Sequence, residues 1–394
     1  MFRTLGEHYR AFRRRRKLET LRSADAAALE NQARPDAGRV LVLRHDSIGD
    51  YLLYRPWLRR LSEEVRKRGQ HLTLLANAVW APLARAWDAD CFDELLVLDT
   101  GRFMTDLAYR HEVLHQIGSK GFGEIIYPLH VREPAVETFV QFLKAPVCIA
   151  SEGSLRPGPE YQLLDAGFTL LLPSTPAVLF EYDRNREFFE NWRRATGLAT
   201  ELPQPAPLQL PTSVQHAVQV AAGTPYIVLF PGASARRKRW PPRHFARLAQ
   251  GLHQRYGSRY RLVLAGSPAD ARLAQEIAQA AGPTVPLENQ CGQTDLPGLA
   301  ALLAGARLLI SNDTVAAHLA AQAGTPCLVL LMGENYGKFF PYPPALLRAP
   351  CRCLFPPSQE ARFAQGDFSR PAHDPDIRLI TPARVAAAAE ELLG

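Results

Sequence analysis

The chain has 394 residues, 47% hydrophobic and 22% charged, a balance that supports a buried core and excludes wholesale disorder. Its length suggests two or three domains. The net charge of +7 is concentrated at the start, where residues 1–22 hold eight Arg or Lys against two Glu, leaving +1 for the other 372; a nucleic-acid binder would normally carry its excess on a folded face, so nucleic acid is not an expected partner.

Residues 1–30 form a basic extension. No apolar stretch follows its cations, so it does not read as a secretory signal. It is expected to be a solvated, partly helical tail, or a tether that brings residues 1–22 to an anionic membrane surface. The longest uncharged run, Val315–Gly333, is interrupted by His318, Gln322 and Gly324-Thr325-Pro326. A bilayer-spanning helix would need about 20 mostly apolar residues. The expected location is cytoplasmic, with at most peripheral contact at the inner face of the cytoplasmic membrane.

From residue 39 short apolar runs alternate with amphipathic ones. Strands are predicted at 39–44, 71–76, 94–98, 124–127 and 147–150, with helices at 49–66, 81–87, 105–118 and 133–143 between them. Pro157–Pro176 reads as irregular, a helix follows at 184–196, and Leu198–Pro211 reads as a linker. The alternation then restarts, with strands at 226–230, 261–265, 307–311 and 327–331 and helices at 242–256, 269–281, 295–304 and 315–323. A last helix at 381–393 has no evident partner. Such alternation implies βαβ units, parallel sheets and two Rossmann-like halves with a ligand cleft between them. Of the six cysteines, Cys91, Cys148 and Cys327 lie in or beside apolar runs. Cys351 and Cys353 form a CxC pair, too few ligands for the four that zinc usually takes.

Three loops that follow predicted strands are polar or glycine-rich. In His45-Asp46-Ser47-Ile48-Gly49-Asp50, Asp50 lands in the first turn of a helix. There it either complements the helix dipole or takes a proton from an incoming hydroxyl. In Phe230–Pro242, small residues including Gly232 and Ser234 precede Arg236-Arg237-Lys238-Arg239. This is either a solvated charge run or a receptor for a diphosphate. In Ser311-Asn312-Asp313-Thr314-Val315, the N–H groups of 314–316 would face an anion at a helix start, and His318 is either a packing residue or a ligand contact.

Together VLVLRHDSIGDYLLYRPWLRRL, FPGASARRKRWPPRHFARLA and LLISNDTVAAHLAAQAGTPCLVL resemble glycosyltransferase family 9, the ADP-heptose:lipopolysaccharide heptosyltransferase family, in order and spacing over most of residues 39–333. The resemblance implies a GT-B fold, α/β, of two Rossmann-like domains with parallel sheets facing across a cleft. It places an acceptor domain at 31–205, a nucleotide-sugar donor domain at 206–380 and a terminal helix at 381–394. The implied activity is inverting, metal-independent transfer of a sugar from a nucleotide sugar, such as ADP-heptose, to a glycan or glycolipid. No cofactor is implied. By position Asp50 matches the catalytic base, with His45, Ser47 and Arg55 on the acceptor side. Lys238 matches the donor-phosphate lysine and Asp313 the acid that holds sugar hydroxyls. Gly232, Ser234, Thr314, Val315 and His318 are the remaining donor-side candidates; Val315 stands where the family usually has a glycine.

Two other motifs compete. His111-Glu112-Val113-Leu114-His115 is a literal H-E-x-x-H, the zinc metallopeptidase signature, but it falls on a helix that must cover a sheet. Gly121-Phe122-Gly123 precedes a strand rather than following one, the wrong context for a dinucleotide fingerprint. A nucleotide-sugar-binding protein without transferase activity is a further alternative.

Overall fold

The computed structural model describes residues 2–154, 159–199, 201–214, 223–371, 373 and 375–394. Pro157, in the segment expected to be irregular, and Thr200, in the expected linker, lie outside them. The chain folds as two units. Unit 1 runs through Ala177 and resumes at Glu181–Leu202, and unit 2 comprises Val178–Phe180 and Pro203–Gly394.

Unit 1 is built on six strands: β1 (Asp36–Arg44), β2 (His71–Asn77), β3 (Glu94–Leu98), β4 (Phe122–Tyr127), β5 (Val147–Ser151) and β6 (Leu170–Leu172). They pair in parallel in the order β3-β2-β1-β4-β5-β6. Unit 2 repeats the pattern with β7 (Tyr226–Phe230), β8 (Arg261–Leu264), β9 (Leu287–Asn289), β10 (Leu308–Asn312), β11 (Cys327–Leu330) and β12 (Cys351–Leu354). Their order is β12-β11-β10-β7-β8-β9, again parallel. The central strands read as unbroken apolar runs because helices cover both faces; Val40–Leu43 and Ile227–Leu229 are buried throughout. In each unit the strand order reverses once, between β1 and β4 and between β7 and β10. An open parallel sheet of this kind binds its ligand outside the carboxyl ends of the strands at such a reversal.

Three strands have no counterpart in the sequence reading. β6 and β9 are three residues long, and β12, Cys-Arg-Cys-Leu, lacks an apolar run. Gly121 and Gly123 serve backbone packing. A Cβ at Gly121, whose φ is +61°, would lie 2.1 Å from the Arg34 carbonyl, and one at Gly123 would lie 2.5 Å from that of Asp36.

The second half of the first helix and the last helix both pack into the units. The helix Phe2–Ala28 is exposed from Phe12 to Lys17, but from Leu18 it buries Leu18, Leu21, Asp25 and Ala28 in unit 1. The solvated-tail expectation therefore applies to Phe12–Lys17 and not to the second half. The second half is pinned by Arg110, whose guanidinium donates to both Asp25 oxygens at 2.5 and 2.8 Å, to Thr138 Oγ1 at 2.6 Å and to the carbonyls of Phe103 and Ala135. The helix Pro382–Leu393, without a partner in sequence, packs Val385, Ala388, Ala389 and Leu393 into the unit 2 core. Leu208 and Leu210, from the expected linker, are buried and donate their N–H groups to Leu346 and Gln322. Among the described residues no helix is long and apolar enough to cross a membrane.

Removing one partner of a fully buried ion pair strands the other charge, at a loss of roughly 3–5 kcal/mol. Arg110→Ala is therefore expected to lower the free energy of unfolding, measured by urea denaturation, by an amount in that range, whereas a loss under about 1 kcal/mol would mean that Asp25 is satisfied without it.

Candidate active site

Unit 1 gathers polar groups where β1 and β4 part. Arg44, at the end of β1, is fully buried. Its guanidinium lies 4.1 Å from the centre of the Tyr54 ring, donates to Asn185 Oδ1 at 2.9 Å and pairs with the Asp46 carboxylate. His45 comes next, buried, with Nε2 2.6 Å from the Tyr127 hydroxyl at the end of β4, a bond that spans the reversal. Asn77, at the end of β2, donates to the carbonyls of His45 and Asp46 at 2.8 and 3.0 Å, and Trp80 Nε1 donates to the latter at 3.0 Å. These bonds hold the loop so that the helix Ile48–Lys67 can start with Ser47 at its N-cap position. The exposed Ser47 hydroxyl donates to the carboxylate of Asp50, which is half-buried in the first turn.

The electrostatics of this loop are uneven. Burial pushes the Asp46 carboxyl up to about 8; Arg44 opposes the shift, and Asp50 and Glu181 reinforce it. One Asp46 oxygen, Oδ1, is buried without a hydrogen-bond partner. Burial, aided by Arg44, lowers His45 to about 4, so its imidazole is neutral at neutral pH. Arg55 is set apart from the loop. It pairs bidentately with buried Asp88 at 2.7 and 3.0 Å, an acid that also accepts from the Tyr51 hydroxyl at 2.5 Å. Its guanidinium is an internal anchor for the helix rather than a free contact for an acceptor.

Unit 2 shows the same construction between β7 and β10. Asn312, at the end of β10, donates from Nδ2 to the carbonyls of Pro231 and Gly232 at 2.8 and 3.2 Å and accepts from the Trp240 N–H at 3.1 Å. A single buried amide thus ties the basic loop to the third loop. Lys238, on a short 3-10 turn over Arg236–Lys238, donates to Asp313 Oδ2 at 2.8 Å and lies 3.7 Å from Glu334. Arg237 donates to the other Glu334 oxygen at 2.5 Å. Lys238 and Asp313 open onto a pocket walled by Glu334, Tyr336, Phe339 and Phe355. Thr314 caps the helix Val315–Ala323 by accepting from the Ala316 N–H at 3.3 Å.

Not every donor-side candidate reaches that pocket. Gly232 is buried, and a Cβ there would lie 2.6 Å from the Asp270 carboxylate, which itself holds Ser267. Its glycine admits that carboxylate. Ser234 is exposed on the loop. His318 is buried, with Nδ1 2.7 Å from the Tyr342 hydroxyl and its ring 4.7 Å from that of Phe340. It supports the loop from below and does not line the pocket. Of the three N–H groups expected to meet an anion, that of Ala316 is already taken by Thr314.

The model of glycosyltransferase family 9 (heptosyltransferase) matches residues 135–346, more than half of the chain. The chain belongs to glycosyltransferase family 9. The matched span holds the second and third loops; the first precedes it. Lipopolysaccharide heptosyltransferase 1 of Pseudomonas aeruginosa is 33% identical over 187 residues, covering 43% of this chain and 49% of that protein. Lipopolysaccharide heptosyltransferase 2 of Salmonella typhimurium is 33% identical over 172 residues, covering 43% and 47%. The chain therefore spans about half the length of the curated relatives it matches. Among solved structures, the family 9 glycosyl transferase of Veillonella parvula aligns with a TM-score of 0.66 at 21% identity, over 92% of this chain and 99% of that one. E. coli heptosyltransferase WaaC, solved with ADP-2-deoxy-2-fluoro heptose, aligns with a TM-score of 0.62 at 17% identity, over 90% and 99%. These similarities establish the α/β GT-B fold with its two Rossmann-like units.

In this family 9 chain the H-E-x-x-H segment is ordinary helix surface. Val113, Leu114 and Ile117 face the core, while His111 and His115 stack on the exposed side, ring centres 6.5 Å apart. Among the described residues no group of three or more His, Cys, Asp or Glu is arranged to hold a metal ion, so the two histidines have no third ligand.

Sequence reasoning did not assign Asp46, Arg237 or Glu334. Glu334 follows β11 in a polar loop, so the rule that found the other loops could have found it. Asp46 lies inside the first motif, but its environment depends on Asn185 and Glu181, more than 130 residues away. Because its folded value near 8 exceeds the ordinary 3.8, its contribution to stability is complete below about pH 4 and is lost as pH rises toward 8. Asp46→Asn is expected to remove that decline. Thermal midpoints across this pH range check it, and parallel curves for the two proteins would refute a protonated Asp46.

Proposed function

We propose that the protein is an inverting glycosyltransferase that moves a heptose or related sugar from a nucleotide-diphosphate sugar, ADP-heptose first among candidates, onto a hydroxyl of a lipopolysaccharide-core or other cell-surface glycan. The observation that carries this reading is the Lys238–Asp313 pair, 2.8 Å apart at the mouth of a pocket where β7 and β10 part. A cation and a carboxylate held together at a strand reversal suit a ligand that brings a diphosphate for one and sugar hydroxyls for the other. The names of the relatives support the donor and acceptor class. Proteins named heptosyltransferase 1, 2 and 3 match at similar identity, 33 to 36%, so the reading stops at heptose transfer and assigns no position in the glycan.

In the proposed reaction an incoming diphosphate takes the Lys238 ammonium from Asp313, with Arg237 nearby and the N–H groups of Thr314 and Val315 at the helix start. Asp313 and Glu334 then accept from sugar hydroxyls. Asp50 removes the acceptor's proton as the acceptor oxygen bonds to the anomeric carbon from the face opposite the nucleotide. The bond to the phosphate oxygen breaks with its electron pair, and the nucleoside diphosphate leaves. Lys238 and the helix N-terminus stabilise the charge that develops on the departing group. Ser47, donating to Asp50, fixes the direction of the carboxylate, and neutral His45 braces the loop beneath it.

Asp50→Asn is expected to lower kcat by about 10²–10⁴ with donor KM little changed. Lys238→Ala is expected to lower it by about 10²–10³ and to weaken donor binding as well. Nucleotide release from ADP-heptose in the presence of a core glycolipid measures both, and the anomeric configuration of the product reads inversion. An Asp50→Asn enzyme of undiminished rate would remove the base assignment, and donor binding without turnover on any acceptor would favour a binding protein.

A further inference from the structure

The first helix is mounted as if to present its outer half. Its inner half is locked to unit 1 by the buried Asp25–Arg110 pair and by Leu18 and Leu21. Beyond that anchor, residues 1–17 carry Arg3, Arg10, Arg13, Arg14, Arg15, Arg16 and Lys17 against Glu7 alone, nearly all of the protein's net charge. Every side chain from Phe12 to Lys17 is exposed. Arg13 and Lys17 are one helical turn apart with like charge, an arrangement that destabilises a helix, and the one ion pair among the described side chains of this half is Arg15–Glu19. Tyr9 and Phe12 are 62% and 57% exposed, on the same face as Arg13 and Arg16, whose guanidinium groups lie 6.0 and 5.8 Å from their rings. In the sequence Phe2 and Leu5 precede Tyr9 and Phe12 at intervals of three and four.

We propose that the outer half of this helix lies on a bilayer surface rich in anionic phospholipid, its cations paired with headgroup phosphates and its aromatic rings in the interfacial layer. The argument is one of complementarity. Arg13 and Lys17 are held one turn apart with like charge, so an anionic surface relieves a repulsion within the folded protein. Exposed aromatics among those cations suit an interface that is polar outside and apolar beneath. A nucleic acid would satisfy the cations but not the apolar edges of the exposed Tyr9 and Phe12 rings. The inference rests on charge and exposure at the N-terminus and is independent of the proposed transfer reaction.

Co-sedimentation of the full chain with vesicles tests it without reference to catalysis. The protein is expected to bind phosphatidylcholine vesicles that contain phosphatidylglycerol, not pure phosphatidylcholine, and to be released as salt is raised. Replacing Arg13, Arg14, Arg15 and Arg16 together by glutamine should weaken binding by about a hundredfold or more. Tyr9→Ala with Phe12→Ala should weaken it by roughly tenfold through lost burial. Both variants should melt with the parent, since the changed side chains are exposed. Equal binding to neutral vesicles, retention by the glutamine variant, or release from phosphatidylglycerol vesicles by stoichiometric duplex DNA or RNA would each overturn the proposal.

Discussion

Where a parallel sheet ends, the backbone carbonyls beyond the last ladder bond must still find donors, and at a strand reversal no neighbouring strand supplies them. Both units meet this constraint with an asparagine at a strand terminus. Asn77 takes the carbonyls of His45 and Asp46, and Asn312 takes those of Pro231 and Gly232 while accepting from Trp240. An asparagine amide has two N–H donors and an acceptor oxygen, enough to hold adjacent loop carbonyls and an N–H at once. These two amides hold the polar loops in place.

The two loops then differ in charge. In unit 1 the Arg44 guanidinium stands among the carboxylates of Asp46, Asp50 and Glu181, and burial, reinforced by the neighbouring carboxylates, drives Asp46 toward its neutral form. In unit 2, Lys238 and Arg237 stand among Asp313 and Glu334, nearly balanced but rearrangeable by an incoming anion. The sheets are alike; the side chains at their reversals differ, and the proposed division between proton removal and diphosphate capture rests on that difference.

Rigid support reaches these loops through aromatic packing. Tyr51 stacks on Trp80 with ring centres 4.1 Å apart, and Trp57 meets Tyr182 and Phe189 at 5.0 and 5.7 Å, tying the helix that carries Asp50 to the helix Glu181–Ala195. Such pairs add about 0.5–1.5 kcal/mol each beyond the area they bury. The bulky Tyr51–Arg55 segment is accounted for here. Tyr51 and Arg55 hold Asp88, and Tyr54 lies over Arg44.

The sequence alone determined the α/β class, the long central strands and the three loops, because apolar periodicity and glycine-rich turns are local properties. The places of Asp50, Lys238 and Asp313 in those loops were legible for the same reason, each lying just past a strand, while their roles rest on the family resemblance and stay proposals. The tertiary structure decided the rest. Three-residue strands such as β6 and β9 carry too little pattern to be read, and Cys-Arg-Cys-Leu becomes β12 only because β11 offers it an edge. Arg55 and His318, polar residues in suggestive positions, became an anchor for Asp88 and a partner for Tyr342, since a buried polar group takes whichever partner the fold brings near. Asp46 owes its raised value chiefly to burial, and burial is set by how the whole unit packs, which has no signature in local sequence.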